Sequence, residues 1–425
     1  MNSNKYIFKG ARVIDPARGI DEVMDIGVAD GVLVEPGEIA NPQVIDLGGK
    51  VLAPGFIDLH VHLRQPGNNM AETIATGTAA AAAGGFTSVV AMPNTNPPAD
   101  NAGAIEFLRQ TAAQKGVVRV LPCGCMTKNY EGLEMAGIGS LKAAGVVALS
   151  DDGRCIQNHS LMRHVVEYAK SFNLPILDHC EEMTLAAEGV MHEGKWSVLL
   201  GMSGISGASE ELIVARNIIL ARQIGWKIHM QHVSVKESVR LLRDARAEGI
   251  PVSGEATPHH LTLTDECIKT YDTNYKMNPP LRSEEDRLAL IEGVADGTIT
   301  VIATDHAPHT QTAKLVEFDY APFGIVGLET ALPVCYTELV AKKVIGLPAL
   351  VKLLTTGPAE VLGIDAPSLE CGRAADLVIF DPARKYTIDS AKFKSNSRNT
   401  PFDGCQVQCK VCMTLVNGKP VYVEE

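Results

Sequence analysis

The chain has 425 residues, of which 46% are hydrophobic, so it can bury a large core and form one large domain with a smaller one. Its 38 Lys and Arg residues are outnumbered by 50 Asp and Glu residues, which gives a formal charge of −12. This charge opposes the counterion release that drives nucleic-acid binding, so no nucleic-acid partner is expected.

The N-terminal part of the chain predicts no targeting or membrane segment. Residues 1–9 are polar and then strand-like, without an apolar stretch behind basic residues, so a cytoplasmic location is expected. The longest uncharged run, 73–99, is rich in Ala, Gly and Thr and is interrupted by Gly84, Gly85 and Pro93. It is unlike a membrane span and predicts a helix, a turn and a strand, so no membrane partner is expected.

Residues 1–54 predict short strands with turn signals at Gly10, at 16–19 and at Gly48-Gly49. From about 51 to about 310, apolar runs then alternate with helix-patterned segments, which is typical of βα units around a parallel sheet. Eight such runs occur: 51–63, 86–95, 117–127, 146–152, 174–181, 227–234, 251–258 and 298–309. They predict an α/β fold with a closed (β/α)8 barrel of the TIM type over 55–362, with an open doubly wound sheet as the alternative.

The C-terminal part, from about 363, again predicts short strands. Segments 375–380 and 411–416 are β-rich, and Asn417-Gly418 predicts a two-residue hairpin turn before a strand at Val421. We expect 1–54 and 363–425 to pair into one small β domain.

The 10 cysteines are scattered through apolar segments, which is typical of free thiols in a reducing compartment. Cys405, Cys409 and Cys412 have a spacing found in some iron–sulfur sites, but they accompany an alternating strand-like run, 406–416. We interpret them as small apolar strand residues.

Candidate metal ligands lie at the ends of the predicted barrel strands, where the βα loops of such barrels converge. They are His60, His62, Asp151 or Asp152, His179, His232 and Asp305. Imidazole and carboxylate suit Zn²⁺ and similar ions, and His60 and His62 point the same way along one strand. The spacing does not choose between Asp151 and Asp152.

The other histidines receive less specific interpretations. His159, His164 and His192 fall in helix or loop contexts and are expected at the surface or at helix caps. Four more lie near the site, where they either orient ligands or simply pack: His229, His259, His260 and His306.

The run 54–64 resembles the opening of the amidohydrolase superfamily, and its continuation at 64–67 resembles the bacterial type I dihydroorotases. Further motifs resemble that family in order over nearly the whole chain: 92–95, 150–153, 178–181, 277–282, 304–309 and 321–324. One departure is Gln65, where the family often has Glu.

The resemblance implies two divalent metal ions, with Zn²⁺ expected. His60, His62 and Asp305 would bind one ion, His179 and His232 the other, and Asp152 both, leaving Asp151 to brace the loop. Hydantoinases and dihydropyrimidinases use a carboxylated Lys at the bridging position, but no Lys lies between Lys142 and Lys170.

The implied reaction is the reversible cyclisation of carbamoyl aspartate to dihydroorotate, with hydroxide held between the two metals and Asp305 as general acid/base. Arg64 offers a planar fork for the substrate carboxylate. The resemblance adds Asn94 and His309 to that clamp, Asn278 to ring recognition, and the backbone of Phe323 and Gly324 to the ring amide edge. Asn278 is alternatively an ordinary turn residue.

Two other functions stay open from the sequence. One is a different cyclic amidohydrolase, such as a hydantoinase or an allantoinase. The other is a non-catalytic scaffold for an aspartate transcarbamoylase, which the intact ligand set argues against. The sequence does not determine which metal binds or how many ions are bound. It also does not determine whether the chain forms a homodimer or associates with a transcarbamoylase. The loop 310–321 either closes over substrate or is an exposed connector.

Overall fold

The computed structural model describes residues 5–424. Five strands occupy the N-terminal part: β1 (Lys5–Asp15), β2 (Ile20–Ala29), β3 (Val32–Val34), β4 (Gln43–Asp46) and β5 (Val51–Pro54). The predicted turn at 16–19 connects β1 to β2, and Gly48-Gly49 lies between β4 and β5. Gly10 was expected to mark a turn between strands. It lies instead inside β1, at the point where the pairing with β2 shifts register.

Ten strands follow in chain order: β6 (Phe56–Val61), β7 (Phe86–Ala91), β8 (Arg119–Gly124), β9 (Ala148–Leu149), β10 (Ile176–Asp178), β11 (Met191–His192), β12 (Gly204–Ile205), β13 (Ile228–Met230), β14 (Val252–Ala256) and β15 (Val301–Ile302). The short strands β11 and β12 pair with each other. The other eight form one parallel sheet in chain order, and each lies within one of the eight predicted apolar runs.

The sheet nearly closes on itself through His306, which follows β15. The His62 N–H donates to the His306 carbonyl at 2.9 Å, and the His306 N–H donates to the His60 carbonyl at 3.3 Å. These bonds connect the first and last strands of the sheet, so the (β/α)8 barrel is confirmed and the open doubly wound alternative is wrong.

Helices alternate with the barrel strands, and several of them pack against those strands. They are α1 (Ile74–Ala83), α2 (Ala102–Lys115), α3 (Ile138–Ala144), α4 (His159–Ser171), α5 (Met183–Ala186), α6 (Lys195–Leu200), α7 (Gly207–Ile224), α8 (Lys236–Ala247), α9 (Pro258–Thr262), α10 (Glu284–Ala295), α11 (Gln311–Lys314), α12 (Ala331–Cys335), α13 (Leu347–Leu354) and α14 (Thr356–Leu362). Side-chain caps begin several of them, as at Thr73, Asn101 and Ser283. Between residues 5 and 424, the helices are too short or too polar to cross a membrane.

Three C-terminal strands complete a second sheet: β16 (Leu377–Thr387), β17 (Gln406–Val416) and β18 (Lys419–Val423). This end sheet has the order β18-β17-β16-β5-β1-β2-β3, with β4 beside β1. Strand β5 joins the two ends of the chain, because it pairs with β1 in parallel and with β16 antiparallel. The expected pairing of the N- and C-terminal segments is therefore confirmed.

The end sheet packs against the barrel, because Ile14, Val51 and Phe380 belong to the same buried cluster as the barrel strands. The division at residues 54 and 363 stays a prediction. Asn417 and Gly418 form the expected hairpin turn, both with positive φ.

Two of the three C-terminal cysteines follow the strand interpretation. Cys409 is buried within β17, Cys412 lies half-buried in the same strand, and Cys405 precedes it. Cys409 and Cys412 therefore belong to the sheet, whereas Cys405 is exposed and lies just outside it.

Candidate metal centre and active site

The six candidate ligands meet at the carboxyl ends of the barrel strands, and all are buried. On one side, His60 Nε2 lies 3.2 Å from Asp152 Oδ2 and 3.4 Å from Asp305 Oδ1. His62 Nε2 lies 3.3 Å and 3.1 Å from the same two oxygens. Two imidazoles and two carboxylates therefore face one point.

A second group lies on the other side of Asp152. His179 Nδ1 and His232 Nε2 are 2.8 Å apart, and they lie 3.8 Å and 3.6 Å from Asp152 Oδ1. The two oxygens of Asp152 thus face the two groups separately. Asp152 therefore lies between the two groups of candidate ligands.

The donor set fits divalent cations. His60 Nε2 and Asp152 Oδ1 are buried and have no hydrogen-bond partner among residues 5–424, so they are available as ligand atoms. Burial opposes ionisation of Asp152, but the facing imidazoles, His60 above all, hold its pKa well below its usual range. Two combinations bring their ligand atoms within 4.8 Å of one another: His60, Asp152 and His232, and His60, His62 and Asp305. Buried imidazoles and carboxylates in this arrangement are consistent with a metal site.

Asp151 points away from this centre. Its carboxylate accepts hydrogen bonds from the Met126 N–H at 2.8 Å and from the backbone and hydroxyl of Thr127. Burial raises the pKa of Asp151 to about 6. The geometry therefore favours Asp152 as the ligand and Asp151 as a brace for the loop.

Glu255 supports the ligands and was missed by the sequence analysis. Its carboxylate lies 2.9 Å from His60 Nδ1 and 3.0 Å from His229 Nε2, and it accepts the His232 N–H at 3.2 Å. Burial opposes ionisation, but the hydrogen bonds from His229 and His60 lower the pKa of Glu255 to about 2. An anion at Nδ1 directs His60 Nε2 toward the centre. The only sequence signal was a carboxylate inside the predicted apolar run 251–258.

Two predicted substrate residues border the ligand cluster, Asn94 directly and Asn278 through Glu181. Asn94 Oδ1 lies 2.8 Å from His62 Nδ1, and its amide donates to the Asp152 carbonyl at 3.2 Å. Asn278 donates to Glu181 at 3.1 Å, and Glu181 lies 3.3 Å from His179 Nε2. Both asparagines therefore border the candidate metal centre, and Glu181 is a second supporting acid.

The remaining predicted substrate groups line an adjacent wall. Arg64 Nε donates to the Pro308 carbonyl at 3.2 Å, and His309 Nε2 lies 2.7 Å from the Phe323 carbonyl oxygen. Burial, reinforced by the Arg64 charge, lowers the pKa of His309 to about 3, so this imidazole is neutral at pH 7. The Gly324 N–H donates to the Lys276 carbonyl at 3.0 Å. Arg64, His309 and the segment 323–324 are thus brought together.

The other histidines divide as follows. His159 and His164 are exposed as expected, but His192 is half-buried with Nδ1 at 3.2 Å from Arg282. His260 packs between Thr257 and the Pro279 carbonyl. The three remaining histidines near the site, His229, His259 and His306, are buried. His229 lies against Glu255, and His306 lies against Glu72.

The loop 310–321 is not simply an exposed connector. It contains α11, and its buried Lys314 donates from Nζ to the Pro322 carbonyl at 2.8 Å. Lys276 Nζ donates to the Phe318 carbonyl at 2.8 Å, whereas Tyr320 is 80% exposed. The loop is therefore anchored at several points, and its closure over substrate stays a prediction.

A barrel of this kind, with buried imidazoles and carboxylates at the carboxyl ends of its strands, defines a metal-dependent amidohydrolase. A family model described as "Dihydro-orotase-like" matches residues 49–238. The chain is 49% identical to a dihydroorotase from Pelotomaculum thermopropionicum, over 98% of each chain. The chain belongs to the dihydroorotase family.

Other similar proteins agree with this assignment. A dihydroorotase from Caldanaerobacter subterraneus is 48% identical over 98% of this chain and 97% of its own. Among solved structures, an L-hydantoinase from Arthrobacter aurescens has a TM-score of 0.88 and 26% identity, covering 99% of this chain and 97% of its own. The hydantoinases thus share the architecture at much lower sequence identity.

Proposed function

We propose that the chain catalyses the reversible cyclisation of N-carbamoyl-L-aspartate to L-dihydroorotate in de novo pyrimidine synthesis. The observation that carries this proposal is the position of Asp152, whose two oxygens face separate groups of buried ligands. Full-length similarity to proteins named dihydroorotase supports the choice of substrate.

Two divalent ions, with Zn²⁺ expected, would be held by the six ligands. His60, His62 and Asp305 would bind one ion, and His179 and His232 the other, with Asp152 shared. When bound, the ions would lower the pKa of a coordinated water from 15.7 to about 7 and polarise the substrate carbonyl.

The protein groups supply the proton transfer and the orientation. Asp305 accepts a proton from the attacking water and passes it to the departing ring nitrogen, and closure runs through the same steps in reverse. Arg64 pairs with the substrate carboxylate, because its guanidinium can form two parallel hydrogen bonds to a carboxylate. Asn94, Asn278, neutral His309 and the backbone at 323–324 orient the rest of the ring.

The direct experiment pairs elemental analysis with ring opening of dihydroorotate followed in the ultraviolet. The proposal expects two divalent ions per chain and turnover of dihydroorotate well above that of hydantoin or allantoin. Preference for hydantoin would assign the chain to the activity of its structural relative instead. Absence of any turnover from metal-loaded protein would favour a scaffold.

Ring closure is expected to gain on ring opening as the pH falls. Carbamoyl aspartate is a dianion and dihydroorotate a monoanion, so closure consumes one proton and its equilibrium ratio rises about tenfold per pH unit lowered. The ratio of the two compounds at equilibrium, measured between pH 6 and 8 from both directions, checks this. A flat ratio would rule out this substrate pair.

Arg64→Met is expected to raise KM about tenfold or more while leaving the metal content unchanged, because a charge-assisted pair to the substrate is lost. KM for dihydroorotate and elemental analysis of the same preparation check this. Loss of metal with little change in KM would instead give Arg64 a structural role, through its bond to Pro308.

A further inference from the structure

Asn399 lies in the segment between β16 and β17, outside the barrel, yet its side chain reaches the wall that faces the site. It is buried, with 5% of its surface exposed. Its Oδ1 accepts the His309 N–H at 3.1 Å, and its Nδ2 donates to the carbonyls of Ala307 and Gly324, both at 3.1 Å. One side chain therefore joins the two loops that carry His309 and Gly324.

A primary amide matches this environment chemically. The three backbone groups are one N–H donor and two carbonyl acceptors, and an amide offers one acceptor oxygen and two N–H donors. The backbone partners also determine which end of the amide is oxygen. Aspartate has the same shape but donates nothing when ionised, so it would face the carbonyls of Ala307 and Gly324 with a negative charge.

The two loops are packed closely where Asn399 holds them. Gly324 has φ of +122°, and a Cβ at that position would lie 2.6 Å from the Ala307 Cβ and 3.2 Å from His309 Nε2. His309 Nε2 lies 2.7 Å from the Phe323 carbonyl oxygen. Small displacements between the loops would therefore change the position of both candidate substrate groups.

The segment that carries Asn399 is itself fixed. The Asn399 carbonyl accepts the Val326 N–H at 2.9 Å, and Ser397 Oγ donates to the Ala71 carbonyl at 2.7 Å. These bonds attach the segment to Val326, two residues after Gly324, and to the loop that precedes α1. Asn399 therefore acts from an anchored position.

We propose that Asn399 is a positioning residue that sets substrate affinity by holding His309 and Gly324 in register. The inference rests on the proposed function, in which those two residues contact the substrate. The hydrogen bonds of the Asn399 side chain go to backbone groups of the wall and not to the metal ligands. Its replacement should consequently change KM more than metal content or kcat.

The test compares Asn399→Asp with Asn396→Asp in the metal-loaded enzyme. Asn396 is an exposed residue of the same segment, so it controls for the added charge. Asn399→Asp is expected to raise KM for dihydroorotate about tenfold or more, with kcat within about threefold and metal content unchanged. Asn396→Asp should keep both constants within about twofold.

A KM for Asn399→Asp within about twofold of the parent, with only a lower melting temperature, would overturn the inference. An equal fall in kcat and in metal content would overturn it too, because it would indicate general damage to the site. If Asn399→Asp does not fold, Asn399→Ser is measured with the same criteria. A parent enzyme that fails to open dihydroorotate counts against the proposed function, whereas an active parent with an unaltered variant counts against Asn399 alone.

Discussion

Asp305→Asn is expected to lower turnover of dihydroorotate by about 10²–10⁴-fold or more in both directions while the protein still folds and binds metal. Asparagine keeps the shape of the side chain and an oxygen that coordinates weakly, but its amide is not basic at neutral pH. Proton transfer from the attacking water to the ring nitrogen should therefore fail.

The backbone at this position explains why the variant should fold. Asp305 has φ of +47°, a left-handed conformation that asparagine also adopts readily. Its Oδ1 lies 3.1 Å from His62 Nε2, and an amide oxygen can occupy the same place. Circular dichroism, elemental analysis and assays in both directions check the variant. Turnover within a few-fold of the parent, with metals in place, would contradict the general acid/base role.

Asp152→Asn is expected to reduce bound metal to at most one ion per chain and to abolish turnover, because only one of its two oxygens remains. Replacing groups that merely support a metal ligand typically costs 10–100-fold in metal affinity, so loss of a direct ligand oxygen should cost more than about 100-fold. Metal titration followed by elemental analysis measures this.

Asp151→Asn is the matched control, since it makes the same change at the neighbouring residue. It disturbs the hydrogen bonds to Met126 and Thr127, so it should destabilise the fold by about 1–3 kcal/mol and leave metal content unchanged. The reverse outcome, with metal lost in Asp151→Asn and retained in Asp152→Asn, would exchange the two assignments.

Local sequence patterns were sufficient to predict the barrel and the candidate ligands. The alternation of residues along a strand depends on near neighbours in the chain, and a barrel places the carboxyl end of every strand at one face. His60, His179 and Asp305 could therefore be placed together from the sequence alone. The hairpin at Asn417-Gly418 was predictable for the same reason, because two positive φ values favour those residue types. The substrate followed from resemblance, since no local rule distinguishes one cyclic amide from another.

By itself, the sequence determined the strand order, the candidate ligand types and the pairing of the two chain ends. The tertiary structure alone decided which side chains support the candidate ligands and the substrate groups. Glu255 lies 195 residues from His60, and Asn399 lies 90 residues from His309. Their hydrogen bonds exist only after the barrel has formed and the C-terminal segment has packed against it. The orientations of Asp151 and Asp152 were likewise undetermined, because adjacent residues at a strand end share one pattern and only the surrounding donors separate them.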